Sequence, residues 1–222
     1  MRVVLTREAG RNDQLRAWLH DAFDVDEIPL TRTEFLDDEV EVALTSLHLH
    51  EFRCLVVTSA RAADAAARAA ARVEAPIVSV GPVTSAALAA LGVDVAGEAT
   101  SAGDAAALVA VGPVLSLGAR ETRPELANAL GERGISVTHV ACYATLPVKL
   151  TPEQADRLIA ADVVFIGAPS AWAVAAPHVR EATWVVVPGE TTGAAVRASH
   201  ARVHVGWGPD LATTLVGLDS SC

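Results

Sequence analysis

Six short apolar runs along the chain predict buried strands. Each is three or four residues long, is rich in valine, isoleucine and leucine, and carries apolar residues at nearly every position. Continuous apolar runs of this length are typical of strands that are buried on both faces, as in parallel sheets. The predicted strands are Val3–Leu5, Leu55–Val57, Ile77–Val80, Val114–Leu117, Val163–Ile166 and Trp184–Val187.

The segments between these runs have the apolar spacing and the start signals of helices. In residues 15–23, large apolar side chains recur at intervals of three and four positions, which places them on one helix face. Thr151, Pro152 and Gln154 form the pattern of a capping box at a helix start. Strands that alternate with helices predict an α/β fold, with helices on both faces of mostly parallel sheets.

The second half of the chain repeats the first. Residues 79–88, SVGPVTSAAL, resemble residues 187–196, VPGETTGAAV, which lie 108 positions later. Three other strand–turn–helix segments match at offsets of 107 to 111 positions, close to half of the 222 residues. A duplication is the simplest explanation, and it predicts two similar lobes. The other matched pairs are 3–19 with 114–130, 55–65 with 164–174, and 93–109 with 203–216.

Two further segments are equivalent in the repeat and show the alternation of strands. They are residues 25–34 and 135–147. We expect them to be crossing ribbons between the lobes, with a binding cleft between the lobes at the carboxyl ends of the strands.

Composition and charge narrow the class of protein. The net charge of −10, without a basic stripe, argues against a nucleic-acid partner. No leader-like segment and no run of 18 apolar residues is evident, so we expect a cytoplasmic protein that does not contact membranes. No large uncovered apolar stripe is evident, which favours a monomer.

The sequence contains three cysteines, Cys54, Cys142 and Cys222, without CxxC spacing. Cys54 and Cys142 lie in apolar runs, so we expect reduced thiols in the core.

The turns that follow the predicted strands carry glycine, small or hydroxyl-bearing residues. Such turns let a ligand reach backbone amides at helix N-termini, which favour anions. An acidic protein can therefore still bind carboxylates. The alternative is that these residues only cap helices and form turns. The turns hold Thr6–Arg7, Thr58–Ser59, Gly81–Thr84, Leu117–Gly118, Gly167–Ser170 and Gly189–Thr192.

Common cofactor and nucleophile motifs are missing from the sequence. No GxGxxG follows the first strand, and GxxxxGK[ST] and GxSxG do not occur. The histidines show no ligand spacing, and His48 and His50 would point apart on a helix. We therefore expect no cofactor and no metal, and an enzyme that works by holding and shaping its substrate.

A set of short motifs occurs in one order over nearly the whole chain. The motifs are VVLTREAG, IPLTRTE, LVVTSARAAD, VSVGPVTSAALAALG, ATSAGDAAAL, VLSLGARETRPELANALGERGISVTHVACYAT and VVVPGETTGAAV. In this order they resemble the uroporphyrinogen-III synthase family. Each motif alone is weak, whereas their order is fairly specific.

The resemblance implies both a fold and a reaction. The fold is two similar α/β lobes joined by a two-stranded ladder, with residues 1–34 and 148–222 in one lobe and 35–147 in the other. The reaction is that of a hydro-lyase, a carbon–oxygen lyase of porphyrin and heme biosynthesis. Hydroxymethylbilane is cyclised to uroporphyrinogen III through a spiro intermediate, with loss of water and inversion of the last pyrrole ring. No cofactor is implied, and the preceding enzyme could hand over the substrate.

The resemblance also assigns candidate site residues. Tyr143, the only tyrosine, matches the family's motif tyrosine and would donate a hydrogen bond to the leaving hydroxyl, unless it is only a packed ribbon residue. Residues 167–170 read GAPS where the family usually has TS-P-S, so two hydroxyls are lost. The candidate substrate-binding residues are Arg7, Ser59, Arg61, Gly81, Thr84, Ser101, Gly118, Ser170, Gly189, Thr191 and Thr192.

Two other functions stay open at this point. A two-lobed ligand-binding or sensor protein could keep the fold without catalysis, and the two lost hydroxyls favour it. A flavodoxin-like nucleotide or flavin protein is a third class, but the sequence lacks a phosphate loop.

Overall fold

The computed structural model describes residues 1–19, 23–122 and 124–219. The chain divides into two compact units, one formed by Met1–Arg32 with Leu146–Cys222 and the other by Thr33–Thr145. Cys222, considered above, lies outside the described residues.

Strands and helices alternate along the described chain. All six predicted strands are present, and their ends differ from the predicted ends by at most two residues. None of the described helices is long and apolar enough to cross a membrane. The elements are β1 (Arg2–Leu5), α1 (Asp13–Leu19), β2 (Asp24–Glu27), β3 (Thr31–Phe35), α2 (Asp37–Ser46), β4 (Cys54–Val57), α3 (Ala63–Ala70), β5 (Ile77–Val80), α4 (Pro82–Ala90), β6 (Gly97–Ala99), α5 (Ala102–Leu108), β7 (Val114–Ala119), α6 (Glu125–Gly131), β8 (Val137–Pro147), α7 (Pro152–Ile159), β9 (Val163–Phe165), α8 (Pro169–Ala175), β10 (Trp184–Val187), α9 (Glu190–Arg197), β11 (Val203–Val205) and α10 (Leu211–Asp219), with short 3-10 turns at Leu49–Glu51, Ala60–Ala62 and Ala176–His178.

Each unit is built on one sheet. In the first unit the strand order is β11-β10-β9-β1-β2, and every neighbouring pair is parallel. In the second unit the order is β3-β8-β7-β4-β5-β6, and the strands from β8 to β6 are parallel. The predicted α/β class with mostly parallel sheets is confirmed.

The chain passes from one unit to the other within β3 and within β8, which are neighbours in the sheet. Leu36 N donates to Cys142 O at 3.0 Å, and Val148 N donates to Leu30 O at 2.9 Å. The residue numbers of these pairs change in opposite senses, as in an antiparallel ladder. The two connections between the units therefore form a two-stranded ladder.

The ribbon predicted over residues 25–34 is correct only in its second part. Most of its first part is β2, which pairs in parallel with β1 in the first sheet, with Val3 opposite Val25. Pro29 separates β2 from β3, and because proline has no backbone N–H it cannot continue a strand ladder. Of the strands in residues 25–34, only β3 therefore contributes to the ladder between the units.

The two sheets are equivalent under the sequence repeat. Strands β9, β10 and β11 occupy the places in the first sheet that β4, β5 and β6 occupy in the second, and β1 and β2 occupy the places of β7 and β8. The register agrees as well, since Val164 pairs with Val4 as Leu55 pairs with Leu115. The structure confirms the predicted repeat and shows that each sheet combines strands from both halves of the chain.

Both faces of each sheet are buried under helices. In the second unit Leu55 and Val57 belong to one apolar cluster, whereas Cys54 and Val56 belong to another. The first unit likewise has two apolar clusters, which divide the strand residues between them. Burial of a valine or leucine side chain stabilises the fold by about 1.5–3 kcal/mol, which explains the continuous apolar runs.

Helix α7 begins as the sequence predicts. Gln154 N donates to Thr151 Oγ1 at 3.2 Å, and Thr151 N donates to Gln154 Oε1 at 2.9 Å. Both hydrogen bonds of the capping box are thus present, and two free backbone donors at the helix start are satisfied.

Cys54 and Cys142 are buried free thiols, which confirms their assignment as core residues. Burial raises the pKa of the Cys54 thiol to about 11, and burial is also the main cause that raises the pKa of Cys142 to about 11. Because the thiolate is the reactive species, both side chains are chemically inert near neutral pH.

We expect neither buried thiol to react with Ellman's reagent in the native protein at about pH 8. The measurement uses a Cys222→Ser variant, so that only Cys54 and Cys142 remain, and both should react after denaturation. The folded state holds the protons of the two thiols more tightly than the unfolded chain does. Their contribution to the free energy of unfolding is therefore complete below about pH 8.5 and is lost as the pH rises towards 11. Rapid labelling of the native variant would contradict the burial.

Candidate functional site

The predicted site residues lie at or after the carboxyl ends of strands in both sheets, except Tyr143, which lies within β8 opposite Ala119 at the end of β7. In a parallel sheet these ends share one edge, so residues that follow neighbouring strands come close together. Those of the second unit are Ser59, Arg61, Gly81, Thr84, Ser101, Gly118 and Tyr143, and those of the first unit are Arg7, Ser170, Gly189, Thr191 and Thr192.

Arg61 and Tyr143 are brought together in the second unit. Ser59 caps the 3-10 turn Ala60–Ala62, and its Oγ accepts a hydrogen bond from Arg61 N at 3.3 Å. The Arg61 guanidinium carbon lies 5.4 Å from the centre of the Tyr143 ring, which is a cation–π distance. Tyr143 is only 7% exposed. The structure thus joins an arginine and a phenol that are 82 positions apart in the sequence.

Gly118 makes room for its neighbours at the end of β7. A Cβ atom at Gly118 would lie 2.2 Å from Thr58 Oγ1 and 3.7 Å from His139 Cε1. The Thr58 hydroxyl also donates to Leu117 O at 3.3 Å, which fixes its side chain at this edge. Gly118 therefore has a steric role, and its predicted contact with substrate stays a prediction.

Gly81 and Thr84 serve the start of helix α4. Gly81 has a φ of 80°, in the region that favours glycine, and its N–H donates to Ala99 O at 2.8 Å. Thr84 is buried, and its N–H donates to Gly81 O at 3.0 Å. These contacts favour the alternative of turn and cap roles for both residues.

Ser101 is tied to a carboxylate. Its hydroxyl donates to Asp104 Oδ2 at 2.8 Å and accepts a hydrogen bond from Asp104 N at 3.1 Å. Hydrogen bonds from Thr100 and then from Ser101 hold the pKa of Asp104 below its ordinary value. A negative charge at this turn disfavours a carboxylate ligand, so Ser101 acts first as the cap of α5.

The first unit offers more exposed polar groups at its strand ends. Ser170 and Thr191 are exposed, whereas Thr192 is buried in helix α9, for which Gly189 is the N-cap. A Cβ atom at Gly167 would lie 3.5 Å from Arg7 Cγ, so the aliphatic part of the Arg7 side chain lies beside Gly167.

Sequence reasoning missed a polar cluster beside Arg7. Asn12 is fully buried, and its Nδ2 donates to Glu27 Oε2 at 2.9 Å at the end of β2. Hydrogen bonds from Arg16 and then from Asn12 hold the pKa of Glu27 below its ordinary value. The only signal in the sequence was an asparagine in the loop after β1, and its partner is 15 positions away.

His139 was also set aside at the level of sequence, because the histidines show no ligand spacing. In the structure it lies on β8 beside Gly118, and its ring contacts Ser116 and the carbonyl oxygen of Ala119. Its ring therefore reaches the end of β7, while binding of a substrate in a cleft stays a prediction.

A family model described as uroporphyrinogen-III synthase HemD matches residues 19–206 of this chain. The chain belongs to the uroporphyrinogen-III synthase family. Members of this family are lyases of porphyrin and heme biosynthesis that act on a tetrapyrrole, and the function predicted from the sequence is the one that the family supports. Tyr143 and Arg61 lie inside the matched range, whereas Arg7 lies outside it.

Solved structures of uroporphyrinogen-III synthases share the fold. A mutant enzyme from the extremely thermophilic bacterium Thermus thermophilus is 18% identical with a TM-score of 0.63, and the match covers 100% of this chain and 98% of that one. Uroporphyrinogen-III synthetase from Helicobacter pylori is 18% identical with a TM-score of 0.67, and the match covers both chains fully. No curated protein matches this chain.

We expect Gly118→Ala to lower the free energy of unfolding by about 2 kcal/mol, because the new methyl group would overlap Thr58 Oγ1. In a Thr58→Ala background the same change should cost less than about 1 kcal/mol. Urea denaturation of the single and double variants measures the difference. Gly131→Ala is the matched control, since nothing lies within 4 Å of a Cβ there. Equal costs in both backgrounds would rule out the steric explanation.

Proposed function

We propose that this member of the uroporphyrinogen-III synthase family is a hydro-lyase that cyclises hydroxymethylbilane to uroporphyrinogen III. Water is lost, and the last pyrrole ring is inverted through a spiro intermediate. The observation that carries the proposal is the Arg61–Tyr143 pair at the strand ends of the second sheet, which combines a cation with a hydrogen-bond donor.

Tyr143 has the chemistry that loss of water needs. The C–O bond of the hydroxymethyl group breaks with its electron pair on oxygen, assisted by the electron-rich pyrrole nitrogen. A hydrogen bond from the Tyr143 hydroxyl stabilises the negative charge that develops on this oxygen. The oxygen leaves as water after it gains a proton, and the substrate loses a proton when its pyrrole rings are restored. Only mild acid assistance is required.

Selectivity comes from orientation. Without an enzyme the bilane closes to the symmetric isomer, so the protein must bring a different ring carbon to the reactive methylene. The substrate carries eight carboxylates, which guanidinium groups, exposed hydroxyls and turn amides can bind. Arg61 in the second unit and Arg7, Ser170 and Thr191 in the first unit are the groups best placed for this role. Thr84 and Thr192 are buried, and we assign them to the shape of their turns.

We also propose that the chain acts as a monomer in the cytoplasm on a substrate that the preceding enzyme hands over. The reduced, buried thiols of Cys54 and Cys142 fit a reducing compartment. Light scattering during gel filtration measures the oligomeric state directly.

A two-lobed ligand-binding protein without catalysis is the second candidate. The observation that favours it is Gly167 with Ala168, which stand where the family usually has two hydroxyl residues. Such a protein would bind the bilane without changing the product of its spontaneous closure.

We expect the protein to convert freshly made hydroxymethylbilane mainly to isomer III. The products are oxidised to porphyrins and separated by chromatography, and a reaction without protein provides the isomer I reference. Isomer I alone, at the spontaneous rate, would reject catalysis and favour the binding protein.

We expect Tyr143→Phe to lower kcat by about 100-fold, because the hydrogen bond to the leaving oxygen is lost. The ring and its contact with Arg61 are retained, so the thermal midpoint should change little. Initial rates of isomer III formation measure the effect, and Thr45→Val, which removes an exposed hydroxyl from α2 in the same unit, controls for the loss of a hydroxyl alone. Unchanged turnover would remove Tyr143 from the mechanism.

A further inference from the structure

The register between β7 and β8 shifts by one residue next to Tyr143. Gly118 pairs with Ala141, but the following residue Ala119 pairs with Tyr143, so Cys142 is an extra residue on β8. Such a β-bulge interrupts the regular alternation of side chains between the two faces of a sheet.

The bulge decides which face of the sheet Tyr143 occupies. Before it, Val137 packs against the cluster of Cys54 and Val56, whereas Val140 packs on the opposite face. Regular alternation would place Tyr143 on the same face as Val137. Instead Cys142 and Tyr143 both belong to the cluster of Val140, on the face where Arg61 reaches the tyrosine ring.

His139 spans this bulge with its side chain. Its Nε2 lies 2.8 Å from Ala119 O, and its Nδ1 lies 3.4 Å from Ser116 Oγ. The carbonyl oxygen can only accept, so Nε2 carries the hydrogen. On the other side of the bulge, Arg120 N donates to Tyr143 O at 2.7 Å. The imidazole ring packs beside Gly118, since a Cβ atom there would lie 3.7 Å from His139 Cε1, an ordinary contact distance.

The sequence repeat does not by itself require a histidine here. In the first unit Leu5 pairs with Glu27 as Ser116 pairs with His139 in the second. Glu27 binds Asn12 and Arg16 through its carboxylate. The imidazole is thus a feature of the unit that contains the tyrosine.

We infer that His139 is a positioning residue for Tyr143. By donating from Nε2 to Ala119 O it holds the shifted register, and the shifted register aims the tyrosine at Arg61. This inference rests on the proposed function for its catalytic meaning, but the position of the ring can be measured without activity.

The test uses the fact that Tyr143 is the only tyrosine in the chain. Protein labelled with 3-fluorotyrosine gives one fluorine resonance, which reports on the surroundings of this ring. His139→Leu removes the donor and should shift or broaden the resonance and lower kcat about tenfold, with a smaller effect on KM. His139→Gln keeps an amide donor at a similar reach and should restore most of both. His48→Leu, an exposed site in the same unit, is the matched control.

The outcomes separate the inference from the proposed function. A wild-type resonance in folded His139→Leu overturns the inference. A changed resonance with unchanged kcat supports the positioning role and rejects the catalytic role of Tyr143. If the leucine variant does not fold, His139→Asn decides, because its shorter amide cannot reach Ala119 O from the same position. A displaced resonance in the asparagine variant beside a wild-type resonance in the glutamine variant supports the inference, and a wild-type resonance in both overturns it.

Discussion

Burial of both faces of two mostly parallel sheets is the constraint on which this structure depends. Strands such as β4 and β9 are apolar throughout, because helices cover each side of them. Most of the candidate polar residues therefore lie near the strand ends, where turns lead into helices. The candidate residues of a uroporphyrinogen-III synthase lie at these ends in both units, which follows from the sheets before any function is considered.

The repeat gives the two units the same strand order, but the residues at one equivalent pair of positions differ. In the second unit Gly118 on β7 adjoins Thr58 after β4, whereas in the first unit the equivalent positions are Arg7 and Gly167. In each pair one member is glycine and the other carries the side chain. A side chain at Gly118 would overlap Thr58 in the second unit, whereas a Cβ atom at Gly167 would make only an ordinary contact with Arg7 Cγ at 3.5 Å in the first.

The candidate residues at the strand ends differ in whether their polar groups are available to a ligand. Thr84 is buried, Ser101 is bound to the Asp104 carboxylate, and the Gly81 amide is occupied by Ala99. Arg61 lies over the ring of Tyr143 and combines positive charge with a phenol. An acidic protein can therefore bind a polycarboxylate through a few local groups, because short-range hydrogen bonds and charge pairs outweigh a net charge that salt screens.

Sequence alone determined the strands, the capping box at Thr151, the repeat and the family, because these depend on local burial patterns, on contacts three residues apart and on the order of motifs. It did not show that β2 belongs to the first sheet and not to the ladder, that Gly118 adjoins Thr58, or that Asn12 binds Glu27. It also did not show the bulge at Cys142, which interrupts the alternation of β8 side chains between the two faces of the sheet. Only the tertiary structure decided these features, because strand register and side-chain packing are set by residues far apart in the chain that meet only after folding.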